Sequence, residues 1–301
     1  MKKISIITML LVAVFMSANA QLLYKISGKG LAKPSYIVGT YHLAPVAFVD
    51  SIPGLRDAMA QTEQVCGELD MKQMTDQAEM QKMMQAMMLP EGTTLKTLLS
   101  EDEMTRLNAY MTKLMGVDMT NPMVEGQMGK MTPQALNTQF SLITFMKHTP
   151  GFDPANLFDG YFQKVALEQG KSVIGLETMD FQVKVLFKGQ TLERQKQLLM
   201  CLVDNPEYHE DAAVRLTKAF EAQDLGKMKE LLDEKENNDC DSKPEEQDAL
   251  INNRNADWLT KMPAIMTDKS TLFAVGAGHL PGDKGVLTLL RNAGYTVEGV
   301  K

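Results

Sequence analysis

The stretch Ser35–His42, with the sequence SYIVGTYH, is an apolar run of β-forming residues that ends in Gly-x-x-His. The same arrangement returns near the other end of the chain, where Thr271–His279 reads TLFAVGAGH. Because glycine tolerates backbone angles that other residues avoid, each strand is expected to turn sharply at its glycine. In open α/β sheets, ligand sites form at the carboxyl ends of the strands. The two copies therefore predict that His42 and His279 meet in one cleft.

The segments between these two strands alternate between strand and helix patterns. An amino-terminal run, Leu22–Ser27, is expected to form a hairpin with the first Gly-x-x-His strand. Ser51 is expected to cap a helix that carries Pro53 in its first turn. Buried strands are then expected at Gln64–Asp70 and Lys171–Thr178, with helices between them, which is the pattern of parallel crossover units. The expected fold is α/β, with a central, mainly parallel sheet and helices on both faces.

A Met-rich, helical insert is expected over about residues 71–148. Its methionines recur at spacings of three and four residues, which places them on one face of a helix; they are Met80, Met83, Met84, Met87 and Met88. The simplest interpretation is a flexible packing surface that caps the sheet, since Met fills irregular cores. A soft-metal (copper) site and an adaptable groove for apolar peptides are the alternatives.

Length and composition indicate an exported globular protein. Residues 1–20 have two lysines, an apolar stretch and an Ala-Asn-Ala end, which are typical of a signal peptide. The remainder, 21–301, is expected to be a single α/β domain without a membrane anchor, located in a periplasm or outside the cell. The net charge of -7 argues against nucleic acid as the main partner.

Three cysteines occur in the chain. An oxidising compartment permits one disulfide, and Cys201 and Cys240, which bracket a polar and helix-rich segment, are the expected pair. Cys66 lies in an apolar run and is expected to be a small buried residue.

Metal-binding or catalytic residues are expected at the carboxyl ends of the strands. His42 and His279 follow their strands, and the carboxylates Glu68, Asp70 and Glu177 end two others. Imidazoles and carboxylates with open positions can hold zinc, manganese, iron or cobalt, and the metal would activate a water molecule. Without a metal, His42 could act as a general base with Glu68 beside it.

Other ionisable residues complete the set of candidates. Arg254 could stabilise an oxyanion or hold a substrate carboxylate. Each of these residues alone is more often structural, as a cap, a satisfied histidine or a surface ion pair. His148 and His209 are expected to be surface residues, because their surroundings are polar.

Several motifs, taken in chain order, resemble those of the TraB/PrgY/GumN family, and the chain is most similar to its exported, GumN-type bacterial members. The resemblance covers nearly all of the chain after residue 20. The motifs are Gly39-Thr40-Tyr41-His42, Glu68, Gly175-Leu176-Glu177-Thr178, Asn253-Arg254-Asn255 with Trp258, and Val275-Gly276-Ala277-Gly278-His279-Leu280 with Gly282 and Gly285.

The resemblance implies a fold distantly similar to erythromycin esterases and ChaN-like haem-binding proteins. It also implies the activity of the related Tiki membrane proteases, which are peptidases that require a divalent metal. Carried over, His42, His279 and Glu68 would be metal ligands, and Glu68, Glu177 and Arg254 would be catalytic. The chain differs from Tiki in its Met-rich insert and in having no expected anchor.

The expected function is an exported, metal-dependent hydrolase, with a peptidase that acts on peptides or protein termini as the favoured class. Its cofactor would be Mn²⁺, Co²⁺ or Zn²⁺, and its partner a peptide or protein substrate. Two alternatives differ in class. One is a protein that binds or sequesters peptides or haem without turnover, and the other is a metal-free, esterase-like hydrolase.

Overall fold

The computed structural model describes residues 21–149, 152–153 and 156–301. The expected signal peptide, residues 1–20, lies outside the described residues. No helix in the described part of the chain is long and apolar enough to cross a bilayer.

A six-stranded mixed sheet forms the centre of the molecule, with the strand order β4-β3-β5-β2-β1-β6. Strands β4, β3, β5 and β2 pair in parallel with one another, whereas β1 runs antiparallel to both β2 and β6. The strands are β1 (Leu23–Ser27), β2 (Ser35–Thr40), β3 (Gln64–Leu69), β4 (Ser172–Glu177), β5 (Thr271–Gly276) and β6 (Thr296–Gly299).

Helices surround this sheet and connect its strands. The α-helices are α1 (Leu55–Gln61), α2 (Gln77–Ala86), α3 (Leu95–Leu98), α4 (Glu101–Met115), α5 (Pro122–Met128), α6 (Pro133–His148), α7 (Phe158–Glu168), α8 (Met179–Phe187), α9 (Leu192–Asp204), α10 (Pro206–Glu221), α11 (Leu225–Leu232), α12 (Pro244–Gln247), α13 (Asn253–Asp268) and α14 (Val286–Asn292). Short 3₁₀ segments follow β2, β3 and β5, and a π-helical segment, Asp248–Asn252, precedes α13. The expected α/β class, the opening hairpin and the mainly parallel sheet are thus confirmed.

The two Gly-x-x-His strands lie side by side in the sheet. Strand β2 pairs in parallel with β5, and the register matches Thr40 with Gly276 at their carboxyl ends. The two histidines therefore leave the same edge of the sheet from neighbouring strands, as the repeated motif predicts.

The glycines of the two motifs serve close packing and not a left-handed turn. Gly276 has an ordinary φ of -51°. A Cβ on Gly39 would lie 3.0 Å from the Cβ of Ala277 and 3.0 Å from Cδ1 of Leu280, and a Cβ on Gly276 would lie 3.1 Å from Oε1 of Glu68. The expectation that these glycines permit unusual backbone angles is wrong. They lie where the two strand ends and Glu68 approach closely, so that an added Cβ would force its neighbours to move by a few tenths of an ångström.

The expected helix start at Ser51 is also wrong. Ser51 ends a 3₁₀ helix that begins at Val46, and α1 begins only at Leu55. Gly54 precedes α1 with a φ of 71°, a left-handed conformation that favours glycine. The chain therefore uses a glycine to re-orient between two short helices.

Helices α2 to α6 occupy the range of the expected insert. Most of their buried apolar residues form a core of their own together with α9, which includes Leu107, Leu136, Phe140 and Leu199. The insert therefore packs mainly against α9, and the sheet has a separate core around β1–β6.

The cysteine predictions are confirmed. Cys201 and Cys240 form a disulfide, which links α9 to the loop before α12. Cys66 is a free thiol, fully buried in β3, and burial raises its pKa to about 12.

Candidate active site

A cavity of about 290 Å³ opens at the carboxyl ends of the parallel strands. Its polar lining comes from β3, α7, α8 and α13 and from the loop after β2. The polar residues are His42, Glu68, Asp159, Gln163, Gln182 and Arg254. Apolar residues, among them Met71, Met74 and Leu186, form the rest of its wall. The location agrees with the rule for sites in open α/β sheets.

His42 lies at the mouth of this cavity, and its side chain is 72% exposed. Its Nδ1 lies 2.6 Å from Oδ2 of Asp159, the second residue of α7. The carboxylate cannot donate, so Nδ1 carries the proton and Nε2 remains available to a substrate. The charge of Asp159 raises the pKa of His42 to about 9, so the ring is an imidazolium ion at neutral pH.

Asp159 is held in its ionised form by its two partners. The hydroxyl of Thr40, the last residue of β2, donates to Oδ1, while His42 occupies Oδ2. Burial alone would raise the pKa of Asp159, but the charge of His42 and these hydrogen bonds lower it. Strand β2 and helix α7 thus hold one imidazolium–carboxylate pair.

Arg254 lies in the first turn of α13 and is buried. A guanidinium has five N–H donors, and all five have protein acceptors. Nε donates to Oε1 of Glu177 at 2.7 Å. Nη1 donates to the carbonyl of Leu250 and contacts Nε2 of His279, both at 3.1 Å. Nη2 donates to Glu68 and to Oε2 of Glu177.

Glu177 ends β4 and has no exposed side-chain surface. Besides Arg254, it accepts hydrogen bonds from Nε1 of Trp258 at 2.7 Å and from Nε2 of Gln182 at 3.1 Å. Its two oxygens therefore have four donors between them. This carboxylate is the buried counter-ion that fixes the guanidinium.

His279 is buried behind Arg254. Its Nδ1 lies 2.7 Å from Oδ1 of Asn255, whose amide nitrogen donates to the backbone carbonyls of His279 and Lys284. Those carbonyls fix the amide orientation, so Nδ1 of His279 is the protonated nitrogen and Nε2 accepts from Arg254. Burial lowers the pKa of His279 to about 4, so its ring is neutral at neutral pH.

Glu68 lies near the end of β3, and its side chain is 16% exposed. It accepts from the backbone N–H of Gly276 at 2.7 Å as well as from Arg254. Burial works against its ionisation, but His279, Arg254 and the Gly276 N–H together lower its pKa below the ordinary value. The negative charge of Glu68 also raises the pKa of His42, and both side chains line the cavity.

Of the residues predicted from the sequence, His42, Glu68 and Arg254 line the cavity. Glu177 and His279 do not line it and instead contact Arg254, so the two histidines do not share one cleft. Asp70 instead accepts from the backbone N–H of Lys72 and caps the 3₁₀ segment that follows β3. The side chain of His148 is 39% exposed and pairs with Glu210, whereas His209 is half-buried.

Asp159 is the residue that the sequence patterns do not single out. It lies 117 positions after His42, within an ordinary helix start. Its signal is an acidic residue in the first turn of a helix, which more often interacts with the helix dipole. Only the packing of α7 against β3, β4 and β5, which brings Asp159 to Thr40 and His42, reveals its role.

The donor set does not fit a divalent cation in this arrangement. Both ring nitrogens of His279 have protein partners, and the guanidinium of Arg254 lies against His279 and Glu68. A cation bound by these two residues would be placed next to that positive charge. Within the described residues, no group of three or more His, Cys, Asp or Glu side chains is arranged to hold a metal ion.

Comparisons with known proteins identify the family of the chain. No curated protein and no solved structure matches it. The model of the TraB/PrgY/gumN family matches residues 22–299, from β1 to the end of β6. The chain therefore belongs to the TraB/PrgY/gumN family.

Proposed function

We propose that the protein is a hydrolase of peptide bonds in which Glu68 and His42 act as general base and general acid. The observation that supports this most directly is the opposite charge that the two side chains carry at one cavity. His42 has its pKa raised to about 9, while the pKa of Glu68 is lowered. A pair of titratable groups whose pKa values are pushed apart is the usual arrangement for acid–base catalysis.

The proposed roles follow from the protonation states at neutral pH. Glu68 is a carboxylate that lines the cavity, so it orients a water molecule and accepts its proton. His42 is an imidazolium whose Nε2 points away from Asp159, so it donates a proton to the leaving amine. Asp159 fixes the tautomer of His42 and stabilises its charge, as a carboxylate beside a catalytic histidine does.

Arg254, Glu177 and His279 have positioning roles in this proposal. Because all five donors of Arg254 already have protein acceptors, the guanidinium holds Glu68 in place and is not free to bind a substrate carboxylate. Glu177 anchors Arg254, and His279 accepts one of its N–H groups.

A metal requirement, with His42, His279 and Glu68 as ligands, stays a prediction from the family resemblance. It would need Arg254 to withdraw from His279, and the donor geometry described above does not support it. Export to a periplasm or to the outside of the cell likewise stays a prediction.

The experiment is hydrolysis of a mixed peptide library by the mature chain, residues 21–301, compared with His42→Ala. General acid–base catalysis contributes about 10²–10⁴-fold to a rate, so the variant should lose that factor. A rate unchanged by His42→Ala would contradict the proposal. A library that stays intact while peptides bind would favour the sequestering alternative.

A further inference from the structure

A second cavity, of about 710 Å³, adjoins the candidate active site. Met71 and Leu157 line both cavities and therefore stand at their junction. A molecule that reaches from one cavity to the other must pass these two side chains. We call the larger cavity the side groove.

Helix α7 separates the two cavities. Asp159 and Gln163 are four residues apart and line the smaller one. Leu157, Gly160 and Lys164 follow one another at spacings of three and four residues and line the side groove. Residues at these spacings share one face of a helix. One face of α7 therefore positions the acid–base pair, and a neighbouring face borders the groove.

The walls of the side groove are largely apolar. Pro45, Val46 and Ala47 come three to five residues after His42 and line the groove together with residues of α7. On the side of α7, the phenol oxygen of Tyr161 accepts from Nη1 of Arg56 at 3.1 Å, which holds the ring in place. The polar residues of this lining are Asp153, Asn156 and Lys164.

Gly160 keeps the groove open at the junction. The atom nearest to a Cβ built on this glycine is Cε of Met71, at 3.9 Å, which is an ordinary contact. A larger side chain at position 160 would therefore extend into the groove without displacing the backbone. Glycine is a poor helix former, so the substitution also suits α7.

We propose that the substrate is an extended peptide whose bulky apolar side chain, beside the bond to be cleaved, occupies the side groove. The cleaved bond in this statement rests on the proposed function, whereas the apolar preference rests on the groove alone. Successive side chains of an extended chain point to opposite sides, so a peptide in the smaller cavity can direct one side chain past the junction into the side groove.

The test measures binding and turnover separately. The probes are fluorescein-labelled hexa-alanine peptides in which Gly, Leu or Phe replaces alanine at one position at a time. Binding is measured by fluorescence polarisation in a His42→Ala background, and turnover in the chain that retains His42. Burial of a Leu or Phe side chain should strengthen binding about tenfold or more over the alanine parent at one position.

Gly160→Leu should abolish this preference, so that the Leu and Phe peptides bind no more tightly than the alanine parent. Gly126→Leu is the matched control, because Gly126 is also helical and has no heavy atom within 4 Å of a built Cβ. Ala47→Leu also fills the groove and serves as the second variant if Gly160→Leu fails to fold.

The outcomes distinguish the groove from the chemistry. A preference for Leu or Phe that Gly160→Leu and Ala47→Leu remove, with no turnover, would support the groove and contradict the proposed hydrolase. Turnover of all peptides with equal binding, or a preference that survives both groove variants, would overturn the groove and leave the hydrolase intact. Absence of binding by every peptide would also overturn it.

Discussion

His42 and His279 occupy equivalent positions in two copies of one motif, yet their surroundings give them opposite charge states. His42 is exposed beside a carboxylate, and its pKa rises to about 9. His279 is buried beside a guanidinium, and its pKa falls to about 4. The repeated motif therefore supplies two equivalent sequence positions, and the neighbouring residues decide that only His42 is an imidazolium ion at neutral pH.

The acid role of His42 predicts the alkaline limb of the pH–rate profile. With His42 as proton donor, kcat/KM should fall above pH about 9, where the imidazolium loses its proton. Asp159→Asn removes the charge that raises this pKa, so the limb should move toward 6.5, the ordinary value for histidine. Peptide hydrolysis measured from pH 5 to 10 checks this. A limb at the same pH in both proteins would contradict the assignment of Asp159.

His279 predicts how stability depends on acid. In the unfolded chain its ring takes up a proton near pH 6.5, but in the folded chain only near pH 4. The protein is therefore more stable above pH 6.5 than in acid. Its free energy of unfolding should fall by up to about 3 kcal/mol as the pH falls toward 4.

Urea unfolding at pH 7 and pH 4.5 measures this loss, with His279→Gln as the comparison. The variant has no titrating ring at this position, so its unfolding free energy should change less between the two pH values. An equal change in both proteins would show that other groups dominate.

Among the secondary-structure elements, strand ends and helix starts together supply the residues of the candidate active site. Glu68 and Glu177 come from the adjacent strands β3 and β4, and Arg254 from the start of α13, just after the π-helical segment. Such segments are frequent at functional sites. Here the carbonyl of Leu250, within that segment, accepts from Arg254. The backbone irregularity therefore helps to hold the guanidinium between the two carboxylates.

Loss of a buried ion-pair partner of Arg254 should lower the free energy of unfolding. Glu177→Gln leaves a buried guanidinium with half of its charge partners, which costs about 3–5 kcal/mol in comparable pairs. Glu230→Gln is the control, since Glu230 forms an exposed pair with Lys227 worth less than about 1 kcal/mol. Chemical denaturation of both variants measures the difference. Equal stability of the two would contradict the anchoring role of Glu177.

At the scale of the whole molecule, patterns with a period of two residues or with strand-end glycines were readable from the sequence. They predict the hairpin, the parallel strands, and the placement of His42 and His279 at one edge of the sheet, but not the burial of His279 outside the cavity that His42 lines. The disulfide between Cys201 and Cys240 was also predictable, since compartment and spacing restrict the choice.

Features that depend on tertiary packing were not readable. Asp159 joins His42 only because α7 packs on β3, β4 and β5, and no local pattern distinguishes it from an ordinary helix start. All five N–H donors of Arg254 find acceptors only when residues from four separate segments come together. Single sequence motifs do not show this arrangement. The helical insert likewise gave no sign that α9 would complete its core, because the methionine spacing identifies a helix face and not its partner.

Metal content of the whole chain tests the remaining disagreement between the family resemblance and the donor geometry. The protein is loaded with Mn²⁺, Co²⁺ or Zn²⁺, dialysed, and subjected to elemental analysis beside the His42→Ala/His279→Ala variant. Arg254 hydrogen-bonds groups that would otherwise bind the cation. We therefore expect no stoichiometric metal binding that depends on the two histidines. One equivalent of metal in the wild type, lost in the variant, would contradict this and restore the metallopeptidase hypothesis.

An NMR titration of the histidine rings tests most directly whether Asp159 makes His42 a proton donor at neutral pH. The chain has four histidines, so the His42 signal can be assigned from its absence in His42→Ala. We predict that His42 titrates near pH 9 in the wild type and near 6.5 in Asp159→Asn. A wild-type His42 that titrates near 6.5, or a midpoint unchanged by Asp159→Asn, would contradict the account.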